Sequence, residues 1–249
     1  MQDLFRQVTE RYRGAAASAR WLIEAPFANA RIALRTNSKE EARAILTAQC
    51  AKFLATCHVT TGVDGIFPKA GDGCVVCYNE PSFVDVMAFC VNMWPHVDHA
   101  SGADIYAYIP FGRASAAKNA ISLIPRGNRV RTDRLLAEVV QRVRDGQRLS
   151  WGGEGRIVGM DGVGRFKIGA SLIAIRAQAP IVPVTFYGGH QVMPLRRLRA
   201  QPGHVQIRFG APIPTDGLKE DDARALADRV QLQVARQYDA LKAEAAQKH

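Results

Sequence analysis

Five consecutive apolar residues, Cys74-Val75-Val76-Cys77-Tyr78, set the strongest limit on what this chain can fold into. The run is too short for a helix and lacks polar alternation, the pattern of a β-strand buried on both faces. Such strands belong to parallel sheets covered by helices on either side. The run passes at once into Asn79-Glu80-Pro81-Ser82-Phe83-Val84-Asp85, and residues 83–94 then carry helical spacing with Ser82 as the N-cap. Residues 74–94 therefore read as strand, tight loop and helix. That order puts the loop side chains at the carboxyl edge of a parallel strand, where α/β sheets place their sites.

The alternation continues along the chain. Ser38 with Glu41 forms a capping-box pattern that opens a helix with Ile45, Leu46, Phe53, Leu54 and Cys57 on one face. Residues 62–73 are turn-rich. Residues 105–109 and 121–124 are strand-like around a helical patch at 114–119. Thr132 caps a helix that ends at Gly146 and turns Leu135, Leu136, Val139, Val140 and Val143 inward. A strand at 148–151 enters the glycine-rich loop Gly152-Gly153-Glu154-Gly155-Arg156; 166–177 is helical, 181–186 and 205–209 are strands, and 219–247 is a long helix. The expectation is one α/β domain, a mixed, mostly parallel sheet flanked by helices. Its parts are a helical N-terminal segment (1–60), the α/β core (61–215) and a C-terminal helix (216–249).

Charge narrows the partners. Thirty-three Lys and Arg against 23 Asp and Glu leave a net charge of +10, which favours polyanions. The arginine clusters lack interleaved aromatics, so nucleic acid is not expected. Five cysteines, an odd number, with no charged-then-apolar leader, fit a reducing, cytoplasmic setting. No run reaches the roughly 18 apolar residues of a spanning helix. Residues 1–35 interleave six arginines with Phe5, Tyr12, Trp21, Leu22, Ile23 and Phe27, which suits either interfacial helices at the inner face of an anionic membrane or a helical lid on the core.

Four blocks, in order, carry a family likeness. Asn79 to Asp85 resembles the Asn-His-x-Ser-x-x-Asp block of the glycerolipid acyltransferases, with Glu80 at the position of the histidine. Ile121-Ser122-Leu123-Ile124-Pro125-Arg126 is similar to the strand that ends in a phosphate-contacting arginine. Gly153-Glu154-Gly155-Arg156 resembles the Pro-Glu-Gly-Thr block, and Ala179-Pro180-Ile181-Val182-Pro183-Val184 the closing Val-Pro strand. The resemblance implies direct acyl transfer from an acyl-CoA or acyl-carrier-protein thioester to a hydroxyl or amine of a lysophospholipid-like acceptor, with no acyl-enzyme, metal or cofactor. It implies Glu80 as proton acceptor and Asp85 as its partner. Asn79, Ser82, Arg126, Gly153, Glu154, Gly155 and Arg156 would bind substrate.

Two departures matter. An ordinary glutamate titrates about two units below histidine, so its carboxylate is roughly a hundredfold weaker as a base unless burial or a second carboxylate raises it. It also repels phosphate and thioester oxygens. The alternative is a silent relative, natural or with its histidine replaced by glutamate, that binds lipid or acyl carrier. Asp85 has a plainer reading as well, because Ser82-x-x-Asp85 is itself a capping box. His99 and Asp104 keep the lost His-x4-Asp spacing but stand outside the block order. His96 and His99, at i and i+3, lack a third metal ligand, and the alternation of a strand would point Cys74 and Cys77 to opposite faces.

Overall fold

The computed structural model describes residues 2–125, 127–195, 197 and 199–247, with side chains from residue 9 onward. A 34-residue helix, α1 (Gln2–Arg35), and α2 (Lys39–Thr56) precede the first strand, β1 (Val59–Gly65). Then follow β2 (Cys74–Tyr78), α3 (Val84–Asn92), β3 (His99–Ala103), α4 (Gly112–Lys118), β4 (Ile121–Ile124), α5 (Arg129–Arg144) and β5 (Arg148–Gly152). The chain continues through α6 (Gly169–Ala177), β6 (Ile181–Tyr187), α7 (Gly189–Val192), β7 (Gly203–Phe209) and α8 (Ala223–Ala246).

The strands form one sheet in the order β1-β7-β6-β2-β5-β3-β4. Neighbours are parallel except β6 and β7, so the sheet is mixed and mostly parallel. Strand alternation sorts the core into two layers. Cys74 and Val76 pack with α2 and α3, whereas Val75 and Cys77 pack with α5, α6 and α8. The two sulfurs of Cys74-x-x-Cys77 thus lie on opposite faces, and all five cysteines are unpaired and buried.

Some expected elements change. Residues 59–65 form a strand although the apolar signal is faint, because β7 pairs with it in register from Val59↔Gly203 to Gly65↔Phe209. Residues 105–109, expected as a strand, instead contribute to the 3₁₀ turn Asp104–Tyr108; the strand is the less apolar His99–Ala103 just before it. Asn128, not Thr132, caps α5 through Arg131 N (3.0 Å). Phe83, not Ser82, occupies the N-cap of α3. α6 starts at Gly169 rather than 166, and the last helix at Ala223 after a 3₁₀ turn, Glu220–Asp222.

Strands β2, β5 and β6 run side by side, with Tyr78 level with Gly152 on one flank and with Val184 on the other. Their carboxyl ends therefore release the 79–83 loop, the glycine-rich loop and α7 along one edge.

Candidate active site

Asn79 extends the sheet with its side chain. Its Nδ2 donates to Phe186 O (3.0 Å) and its Oδ1 accepts from Phe186 N (2.7 Å), so β2 and β6 stay joined one step beyond their ladder. This fixes where residue 80 leaves the sheet. Glu80 N donates to Glu154 Oε2 (2.5 Å), and Glu80 O accepts from Val158 N (3.0 Å). The Glu80 carboxylate lies against the Cα of Gly152, where an added Cβ would stand 2.5 Å from Oε2, so a side chain at 152 would displace the carboxylate.

Ser82 Oγ donates to Met193 O (2.7 Å) and accepts from Val84 N (3.3 Å), tying the loop to the segment after α7. Asp85 Oδ2 accepts from Ser82 N (2.6 Å), one position before the N-cap Phe83. Its other oxygen, Oδ1, is buried without a hydrogen-bond partner among the described residues and presses on Gly189. Burial holds the Asp85 carboxyl well above the usual range, the Ser82 amide opposes this, and the charges of Glu154 and Glu80 add to it.

Glu154 is 3% exposed and braces the site. Oε1 accepts from Gly164 N (2.5 Å) while Oε2 takes Glu80 N, so one carboxylate holds both ends of the glycine-rich strap to the 79–83 loop. Burial raises its pKa; the two amides and the charge of Arg156 pull the other way. Gly155 has φ 65°, the left-handed region that favours glycine, and its Cα runs close under Lys167. Gly153 lies against the Phe166 ring, and its O accepts from Lys167 N (2.7 Å).

Asn79, Glu80, Ser82, Asp85, Gly153, Glu154 and Gly155 are thus brought together. Arg156 is exposed on the strap, and Arg126 lies outside the described residues, next to Pro125 at the end of β4. The other histidine pairing falls elsewhere. His99 begins β3 at the opposite edge, where Nε2 meets Ser122 Oγ (2.8 Å) and burial lowers its pKa to about 4; His96 stacks on Phe67. No group of three metal-ligating side chains occurs among the described residues.

A second cluster escaped sequence reasoning. Asp161, in the strap, accepts from Tyr238 OH (3.0 Å) and Lys242 Nζ (2.6 Å) of α8, and lies 3.5 Å from His190 Nε2. These contacts pin the strap to α8 and α7 beside Gly189. A cleft of about 470 Å³ opens far away, at the amino ends of β5 and β6, lined by Val140, Arg144, Ile175, Arg176 and Lys219.

The architecture is that of an α/β protein with a loop-built site on the carboxyl edge of its central parallel strands. A family model described as Acyltransferase matches residues 60–187, and the chain belongs to that acyltransferase family, within the glycerolipid acyltransferase superfamily. The sheep 1-acyl-sn-glycerol-3-phosphate acyltransferase alpha is 45% identical over 65 residues, 26% of this chain and 23% of that protein. The acl-2 protein of Caenorhabditis elegans is 33% identical over 161 residues, 64% of this chain and 56% of its own length. The chain therefore spans only about a quarter of the first relative and just over half of the second. The crystal structure of the 1-acyl-sn-glycerophosphate (LPA) acyltransferase PlsC from Thermotoga maritima shares the fold, with a TM-score of 0.72 over 94% of this chain and 98% of that one at 19% identity.

Proposed function

We propose that this chain transfers an acyl group from a CoA or carrier-protein thioester to a hydroxyl or amine acceptor of lysophospholipid type. The observation that carries the reading is the bond from Glu80 N to Glu154 Oε2, which welds the two family blocks into one carboxyl-edge site. Glu80, at the position of the base, accepts the acceptor's proton as the nucleophile attacks the thioester carbonyl. The buried carboxyls of Asp85 and Glu154 stand beside it, each pushed toward its neutral form by burial. Gly153, Gly155 and Arg156 frame the acceptor, and Arg126 is assigned an anionic group of a substrate.

Helix α1 supplies a place at an anionic membrane surface. Tyr12, Ile23, Phe27 and Leu34 are exposed along one face, flanked by Arg20, Arg31 and Arg35. No helix among the described residues is long and apolar enough to cross a membrane.

One observation favours a second reading, a silent lipid- or carrier-binding relative: Asp85 accepts from the Ser82 amide on one oxygen and holds no partner among the described residues on the other. Thiol release from acyl-CoA in the presence of mixed acceptors separates the two. The enzyme reading expects release by the parent chain and its loss in Glu80→Gln; the silent reading expects neither protein to act and Glu80→His to gain the activity.

A further inference from the structure

Building on the acyl-transfer reading, we infer that Tyr238 is a positioning residue of the reaction: its hydroxyl joins the strap to α7, the two segments that hold the 79–83 loop from either side. From the strap, Val158 N donates to Glu80 O (3.0 Å), Gly159 N to Pro81 O (3.1 Å) and Gly164 N to Glu154 Oε1 (2.5 Å). From the side of α7, Met193 O accepts from Ser82 Oγ (2.7 Å), and Gly189 packs on Asp85 Oδ1. Behind both stands Tyr238 of α8, 2% exposed. Its OH lies 3.0 Å from Asp161 Oδ1 in the strap and 3.0 Å from Nδ1 of His190, the neighbour of Gly189. The strap turns through Gly155, Gly159 and Gly162, all at positive φ (65°, 66° and 150°), so its backbone is intrinsically permissive and takes its place from ties of this kind.

The hydrogens of the bridge follow from its members. The bond from Lys242 foremost holds the Asp161 carboxyl below the usual range, so Asp161 is ionised and can only accept. Burial, together with the Asp161 bond, raises the Tyr238 phenol, which keeps its proton. That proton goes to Asp161, and the phenol oxygen then accepts from Nδ1–H of His190, a ring that burial holds neutral although the charge of Asp161 opposes it. The reverse arrangement would leave the phenol oxygen and the Asp161 carboxylate as two acceptors facing each other at 3.0 Å. The ring itself needs none of this to pack. It stands edge-on to Tyr187 with 5.1 Å between centroids, a contact that phenylalanine keeps. The hydroxyl therefore serves the alignment of the strap against α7, and a misplacement of about 1 Å passed on to a reacting group can cost about a hundredfold in rate.

The test follows thiol release from palmitoyl-CoA with a mixture of lysophosphatidate and lysophosphatidylethanolamine, at a temperature where circular dichroism shows each variant folded. Tyr238→Phe is expected to lower kcat at least about tenfold while the KM for palmitoyl-CoA stays within about twofold, since the hydroxyl acts on the reaction through Glu80. Asp161→Ala should do the same, and Asp161→Asn, which keeps an acceptor oxygen for the hydroxyl, should recover most of the loss. Combining Tyr238→Phe with Asp161→Ala should be no slower than the worse single variant, because the two act as one unit. A folded Tyr238→Phe with the parental kcat overturns the inference and leaves the acyl-transfer reading standing. So does a rise in KM without a fall in kcat, or a loss that Asp161→Ala does not share. If Tyr238→Phe fails to fold, Asp161→Ala and Asp161→Asn decide alone. A parent chain that releases no thiol above a protein-free blank overturns the acyl-transfer reading, and this inference with it.

Discussion

Asp98 and Asp85 stand at opposite ends of the same parallel strands and meet opposite fates. At the amino end of β5, Asp98 takes Arg148 Nε and Nη2 (2.9 Å each) and Arg148 N (2.9 Å), and these bonds hold its carboxyl down to about 2. At the carboxyl end of β2, Asp85 has one amide, an oxygen without a donor among the described residues, and the carboxyls of Glu154 and Glu80 as neighbours. The Asp98 carboxylate is satisfied and the Asp85 carboxyl is not. An unsatisfied buried group costs stability, and we read the one on Asp85 as the mark of a site shaped for chemistry.

The largest expected effect breaks the satisfied pair. Asp98→Ala leaves the buried Arg148 guanidinium without its carboxylate and should cost about 3 to 5 kcal/mol in urea unfolding, whereas Glu80→Gln should change stability by less than about 1 kcal/mol. A larger loss from Glu80→Gln than from Asp98→Ala would reverse the comparison. Next comes the brace. Glu154→Gln keeps one acceptor oxygen for two buried amides, those of Glu80 and Gly164, and should cost roughly 1 to 3 kcal/mol while loosening the site.

The two edges should also respond to pH with opposite sign. The folded pKa of Asp98 is depressed, so its stabilisation is present above about 3.9, the unfolded value, and is lost as pH falls toward 2. Asp85 has a raised folded pKa, so its contribution is greatest at low pH and declines as pH rises above the unfolded value. Unfolding curves of Asp98→Asn and Asp85→Asn should each flatten only one of these slopes. The smallest effect concerns α1: Ile23→Asp or Phe27→Asp should each weaken binding to anionic vesicles by about 1 to 2 kcal/mol and leave unfolding unchanged.

What the sequence revealed follows the range of the forces involved. β2, its loop and the capping of α2 were legible because runs, caps and turns are set by neighbours in the chain. β1 was not, since Thr60, Thr61 and Gly62 become a strand only through β7, about 144 residues on. Residues 105–109 misled by composition alone: Gly112, where a Cβ would collide with Tyr106 O, lets the chain turn tightly instead of running on as a strand. Asn79, Glu80, Asp85 and Glu154 were singled out from their blocks, and the structure places them side by side. Their partners Phe186, Gly164 and Gly189 were not singled out, and neither was Asp161 with Tyr238, 77 residues away, because such pairings exist only once the sheet has assembled.

The central claim is that the carboxyl-edge loop is a reaction centre in which Glu80 receives a proton. The direct measurement is the rate of acyl-thioester consumption by wild type and Glu80→Gln under identical acceptor conditions, with melting temperatures recorded in parallel. A general base contributes about 10² to 10⁴ in rate, so the account predicts a loss of at least about a hundredfold in Glu80→Gln with the melting temperature nearly unchanged. Equal consumption by the two proteins, at any rate above the blank, would contradict it.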